Sequence, residues 1–308
     1  MTGPIDPYAA DLPPSVREGR LGVGVISAGR VGAVLGAALR SAGHHVVGAH
    51  AVSTDSQDRA ETLLPGVPIL EIPEILRRAE LILLAVPDDV LGEVVSGAAE
   101  VGHFQPGQLV IHTSGRFGTD ILLPAERAGA VTLAIHPAMT FTGMSLDLQR
   151  LAAAAFAVTA AEEVLPVAQA LAVEMGGEPV VVAEADRPAY HAALAHAANH
   201  LNVLTAQSAE VLERIGVEDP SRVLGPLMQA SLDNALASGP GALTGPVARG
   251  DSSTVAEHLQ VLAGGELPSD VRGAYSAMAQ SAVQRALARG LISSAAAADL
   301  LDLLAEDR

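Results

Sequence analysis

"LGVGVISAGRVGAVLGAALRSAG", residues 21–43, runs from an apolar stretch through a glycine-containing turn into an alanine- and leucine-rich segment of helical character. Strand, tight turn and helix in that order open a βαβ unit. The turn reads Ser27, Ala28, Gly29, Arg30, Val31, Gly32, one residue short of the GxGxxG fingerprint. In that fingerprint the first glycine makes the turn, the second lets a pyrophosphate approach and the third lets helix pack on strand. Gly29 and Gly32 keep the second and third roles. Ser27 takes the first, and its Cβ is expected to hold the backbone in a region open to ordinary residues. Residues 27–32 are therefore expected to bind a dinucleotide, with the helix amides near Arg30 facing the anion.

Outward from this unit the pattern repeats. Strand-like segments lie at 21–26, 44–50, 79–87, 107–113, 130–136, 155–160 and 178–183, several of them apolar on both faces. Segments 30–43 and 88–100 suit crossover helices, with Gly43 placed to end the first. This predicts an α/β fold, a doubly wound, mainly parallel sheet. Strand signals stop after "AEADRP" (183–188). A helix capped near Asp186, with Pro188 in its first turn, is expected to run to about Ile215. Further helices are expected at 219–237, 252–263, 268–289 and 294–305. The expected division is a flexible tail at 1–20, a dinucleotide-binding domain at 21–185 and an all-helical domain at 186–308.

Composition limits the function. The formal net charge is −17 and all 18 basic residues are arginines, which argues against nucleic acid and removes lysine chemistry. No cysteine is present, and no apolar run approaches the roughly 20 residues that span a bilayer. No membrane association and a cytoplasmic location are the default expectations. The stretch "GAHAVSTDSQ" (48–57) has no acidic residue where a ribose hydroxyl would be bound, whereas Ser53, Thr54 and Arg30 suit a 2′-phosphate. NADP is expected over NAD.

Several blocks then fit together in order: "LLAVPDDVL" (83–91), "VIHTSG" (110–115), "HPAMTF" (136–141), "YHAALAHAANHLNVL" (190–204) and "ALTGPVARGDSSTVAEHL" (242–259). With them the chain resembles the Rossmann-like proteins that carry a C-terminal helical domain of formerly uncharacterised function. More distantly it is similar to the 6-phosphogluconate-dehydrogenase-like reductases. The resemblance implies a nicotinamide over the strand ends near Val86 and Pro87, a small anionic substrate, and a homodimer built through the helical domain. It also implies 2-dehydropantoate (ketopantoate) reduction, as in pantothenate biosynthesis, as the first activity to consider. Ser27, Ala198 in place of a serine before Asn199, and the missing lysine acid depart from the pattern.

A ketone reduction needs a proton donor and a carboxylate anchor beside the hydride source. At about 100° per helical residue, one face of the long helix gathers His191, Asn199 and Asn202. His191 is expected as the acid or carbonyl polariser, and Asn199 as its orienting donor. His112 and His136 end neighbouring strands, with Thr113, Ser114 and Thr140 nearby. Ser114, His136, Asn202 and Arg249 are the expected substrate contacts; His136, which precedes Pro137, reads equally as shaping a turn, and Arg249 reads equally as a bidentate clamp on a carboxylate or as the ion-pair partner of Asp251. His196 and His200 have metal-like i, i+4 spacing but no third ligand, so no metal is expected. Asp88 and Asp89 read as a helix start. Two other functions remain open: a dinucleotide-binding sensor or scaffold without turnover, and a pyrroline-5-carboxylate-like imine reductase.

Overall fold

The computed structural model describes residues 20–264 and 267–305. The expected tail lies outside the described residues except for Arg20. Two compact units are formed, the first ending at Ala195 and the second beginning at His196.

The first unit is built from β1 (Gly22–Ile26), α1 (Arg30–Ser41), β2 (His45–His50), α2 (Thr54–Leu63), α3 (Ile72–Arg78), β3 (Leu81–Leu84) and α4 (Asp88–Glu100). It continues with β4 (Leu109–His112), α5 (Leu123–Arg127), β5 (Val131–Pro137), α6 (Leu146–Leu151), β6 (Ala155–Thr159), α7 (Leu165–Glu174) and β7 (Glu178–Val181). Each of the seven strand-like segments holds one strand. The sheet order is β2-β1-β3-β4-β5-β6-β7. Only the β5/β6 pair is antiparallel. A single parallel bridge, Ala49 to Ile69, extends the sheet beyond β2.

Helices cover both faces, which explains strands without polar alternation. Leu81 and Leu83 of β3 join Val23 and Val25 in one buried cluster, while Ile82 and Leu84 point the other way with Ile26 and Val110. At the end of α1, Gly43 has φ +103° and the His44 amide returns to the Leu39 carbonyl, the glycine-terminated stop the sequence suggests. At the start of α4, Pro87 is the N-cap and Asp88 and Asp89 occupy the first turn, one position later than a capping aspartate.

Helix α8 (Arg187–Arg214) runs through the division between the units. The second unit continues with α9 (Pro220–Ser238), α10 (Pro246–Arg249), α11 (Ser252–Leu262), α12 (Ser269–Ala288) and α13 (Ser294–Ala305). Its core is aliphatic: Val255, Leu259, Val283, Leu300 and Leu304. Asp251 caps α11 by accepting from the Thr254 amide at 3.1 Å.

Helix α1 meets the sheet at one tight point. A Cβ on Gly32 would stand 2.1 Å from the Ser27 carbonyl oxygen and 3.0 Å from the Ala85 Cβ. Backbone blocks it, so no rotamer change relieves the clash. Gly32→Ala is expected to destabilise the protein by about 1–3 kcal/mol, as overpacking does; urea unfolding of variant and wild type measures it.

Candidate functional site

The order β2-β1-β3 makes a switch point: the chain leaves β1 for one neighbour and later returns to the other. Open α/β sheets bind ligands beyond the strand carboxyl ends at such points. Both expected cofactor segments lie there, residues 27–32 after β1 and Val86–Pro87 after β3. The Ala85 amide bonds the Ile26 carbonyl at 3.0 Å and holds the two ends together.

Ser27 departs from expectation. Its φ is +73°, the one positive value at a non-glycine among the described residues. The serine therefore keeps the left-handed conformation of the glycine it replaces, at a cost on the order of 1–2 kcal/mol. Two bonds hold the turn against that strain: Ala85 to Ile26, and the Ala28 amide to the His50 carbonyl at 2.7 Å. Ala28 is buried and its amide is spent on β2, so the donors left to an anion belong to Gly29, Arg30, Val31 and Gly32. No side chain caps α1 and no acidic residue stands in its first turn. The first amides of a helix have no acceptor within it.

Gly29 is informative because the fold does not need it. Its φ of −71° suits any residue. A Cβ there would meet only the Ser27 hydroxyl, at 3.6 Å. The space above it is a cradle that a methyl group would fill. These residues fit a pyrophosphate.

At the end of β2, exposed Ser53 caps α2 by accepting from the Ser56 amide at 3.2 Å. A Cβ on Gly143 would lie 2.9 Å from Arg59 Cδ and Nε, and 3.1 Å from Arg30 Cγ. Two arginine side chains thus bracket one glycine beside the turn. The loop carrying it is fixed by the fully buried Asp147, which accepts from the Thr142 and Gly143 amides at 2.7 and 2.8 Å. Arg59 went unnoticed in the sequence because nothing in the local pattern brings residue 143 to it.

A second cluster forms at the ends of β4 and β5. His112 is fully buried; its Nε2 donates to the Gly118 carbonyl at 2.7 Å and its Nδ1 accepts from the Ser114 amide at 3.1 Å. That pairing fixes a neutral tautomer and shapes residues 112–118. His136 Nδ1 lies 2.9 Å from the Tyr190 hydroxyl, the rings meeting edge to face. Gly115 lies against the His136 ring, where a Cβ would be 3.0 Å from Nε2. Beneath them Arg187 is 0% exposed. Its Nε donates to Thr159 Oγ1 at 2.7 Å and its Nη2 to the carbonyls of Ala134 and Ala157 at 2.9 and 3.1 Å. Its Nη1 reaches the Ser114 carbonyl at 3.3 Å.

Of the residues expected at the site, Ser114, His136 and the half-buried His191 belong to this first unit. Ser114 turns its hydroxyl to the amides of Arg116 and Phe117 at 3.1 and 3.3 Å. Asn199, Asn202 and Arg249 are exposed residues of the second unit. His196 and His200 bond each other through Nδ1 at 2.8 Å, and no group of three metal-ligating side chains occurs among the described residues. Tyr190 and Arg187 were missed. Tyr190 is one of only three tyrosines in the chain, and Arg187 places a cation at a helix start, where the dipole disfavours it; both oddities were readable.

A Rossmann-like domain model matches residues 3–137, and a domain of unknown function, DUF2520, matches residues 154–282. No curated protein matches the chain. Among solved structures, a Bacteroides fragilis protein provisionally named an NADP oxidoreductase is 21% identical, with a TM-score of 0.71 over 85% of this chain and 98% of that one. A Thermotoga maritima protein is 21% identical, with a TM-score of 0.62 over 87% and 99%. A variant imine reductase from Myxococcus stipitatus, in complex with NAD+, is 18% identical, with a TM-score of 0.57 over 86% and 94%. The likeness is one of fold. No helix among the described residues is long and apolar enough to cross a membrane.

Two predictions follow from the geometry. Gly29→Ala is expected to leave stability within about 0.5 kcal/mol of wild type. The same variant should weaken NADPH binding at least about tenfold, about 1.4 kcal/mol, read from the cofactor's fluorescence. The second concerns acid. Burial first, with the Arg187 charge adding to it, lowers His112 and His136 from 6.5 to about 4. The folded state therefore favours both imidazoles neutral. The stability this gives is complete above pH 6.5 and is lost as pH falls through 4, about 3 kcal/mol for the fully buried His112. Urea midpoints measured from pH 7 to 4 should fall, and His112→Asn should flatten that fall.

Proposed function

We propose that the chain is an NADP-dependent oxidoreductase that reduces a small 2-oxo acid, with ketopantoate the first substrate to test. The observation that carries this reading is Gly29, a glycine that neither backbone angle nor packing requires, standing before an uncapped helix at the switch point. Arg30 and Arg59 around Gly143, with no carboxylate closing β2, favour the 2′-phosphate of NADP.

A bound reduced nicotinamide supplies the hydride to the carbonyl carbon. The chain's own residues supply the proton for the carbonyl oxygen, completing a 2-hydroxy acid. His191 is the donor expected from sequence, but Tyr190 has the stronger geometric claim. Its hydroxyl lies 2.9 Å from His136 Nδ1 on the strand end; with the proton of the neutral ring on Nδ1, the imidazole donates to the phenolic oxygen and leaves the hydroxyl proton for the substrate, and water returns that proton afterwards. NADPH oxidation with ketopantoate tests both assignments. Tyr190→Phe is expected to lower kcat about 100-fold or more with little change in NADPH affinity, and His191→Ala is expected to lower it less. Tight NADPH binding with no reduction of any 2-oxo acid would favour a sensor, and equal activity of Tyr190→Phe and wild type would return the acid role to His191.

The second unit supports the dimer. On α8 and α9, Leu201, Val203, Leu204, Val223, Leu227 and Leu236 are exposed, Leu227 by 61% and Leu236 by 77%. Exposed apolar side chains gathered on two helices favour an association surface. We therefore propose a homodimer through these helices. Light scattering should give twice the chain mass, and Leu227→Asp should give the monomer.

A further inference from the structure

We propose that Arg187 is a positioning residue that sets the charge class of the substrate: its buried guanidinium favours negative charge at the Tyr190 hydroxyl and on an oxygen facing it, and disfavours a cationic iminium. The proposal rests on the reductase reading and decides within it between a 2-oxo acid and an imine.

Removing a guanidinium from water carries a penalty of several kcal/mol, which a carboxylate ordinarily offsets. Arg187 is fully buried, yet each of its hydrogen-bond acceptors is a neutral oxygen: one hydroxyl and three carbonyls. It is also the first residue of α8, where the helix dipole adds to its positive potential. Stability alone gives no reason for a charge in such a place. Its bonds fasten α8 to β5, to β6 and to the loop after β4, which holds the charge rigidly.

The surroundings leave that charge standing. His112 from β4 and His136 from β5 are neutral, and both feel Arg187. His191 of α8 is near enough to His136 for its charge to act there. The carboxylates acting on the cluster are Asp88 of α4, on His112, and Glu184, on Arg187. Glu184 keeps its charge but bonds the Thr119 amide at 2.6 Å and the Thr119 hydroxyl at 3.3 Å, so it acts on Arg187 only through space. The Tyr190 ring centre is 6.0 Å from the guanidinium carbon, near enough for the charge to act through little solvent. Burial raises the Tyr190 hydroxyl and Arg187 opposes that rise. A phenolate left after proton donation, or an alkoxide forming opposite it, gains from the same field. A protonated imine loses by it.

The chain has three tyrosines and no tryptophan, so phenolate absorbance at 295 nm is readable on the whole protein, and subtraction of Tyr190→Phe isolates residue 190. Arg187→Gln should make Tyr190 about tenfold or more harder to ionise, while Arg187→Lys should stay close to wild type. The ratio of kcat/KM for a 2-oxo acid to that for a cyclic imine should fall about tenfold or more in Arg187→Gln and recover in Arg187→Lys. An unchanged Tyr190 titration in Arg187→Gln overturns the proposal. A shifted titration in a protein that reduces neither substrate removes the reductase reading and leaves the charge assignment standing. If Arg187→Gln does not fold, Arg187→Met, an apolar replacement of similar length, takes its place in the same difference titration, and the same two outcomes support or overturn the proposal.

Discussion

The approach of Gly32 to the Ser27 carbonyl sets the geometry of everything else at the sheet's switch point. Because no Cβ stands between them, α1 starts directly against the end of β1, and its free amides open on the space beyond the strands. Moving α1 outward by the thickness of a methyl group would carry those amides with it. It would also loosen the pairing of Ala85 with Ile26 and of Ala28 with His50, the bonds that hold Ser27 left-handed. Helix packing, turn strain and anion binding are therefore one constraint. Two glycines three positions apart illustrate it: Gly32 is demanded by the protein, Gly29 by what the protein would hold.

Ser27 also shows how a fingerprint can survive the loss of a letter. A serine in the left-handed region costs a small part of a domain's stability, typically 5–15 kcal/mol, and two backbone bonds from neighbouring strands suffice to hold it. The sequence argument assigned the position to the wrong backbone region because it weighed the residue's own preference without the bonds its neighbours impose. Tertiary context overrode propensity there.

Elsewhere the sequence was a good guide to architecture. Seven apolar segments between turn signals became seven strands, since burial on both faces leaves a continuous apolar run that periodicity detects. Helix ends at Gly43 and near Asp186 followed from local chemistry and held. The candidate site was only partly legible. Residues 27–32, Val86 and Pro87 meet because strand order brings them together, and βα repetition implies that order. Tyr190 with His136, Arg59 with Gly143, and Arg187 with Ser114 and Thr159 are long-range pairs, and no spacing rule encodes them. Helix geometry correctly put His191 on α8, but it could not show that the residue before it is the one the strand end touches.

The second cluster carries the argument on substrate chemistry further than the turn can. A dinucleotide cradle is common to reductases of many carbonyl and imine compounds, so it leaves the substrate's charge open. A buried cation among neutral histidines does not. Desolvation is what keeps His112 and His136 neutral, and their neutrality in turn leaves Arg187 as the fixed positive charge beside the Tyr190 hydroxyl. The burial that keeps both imidazoles neutral is thus also what the proposed charge selection would depend on. Because each acceptor bonded to Arg187 is a neutral oxygen, its positive field remains available, and an anionic substrate is the chemistry that would use it.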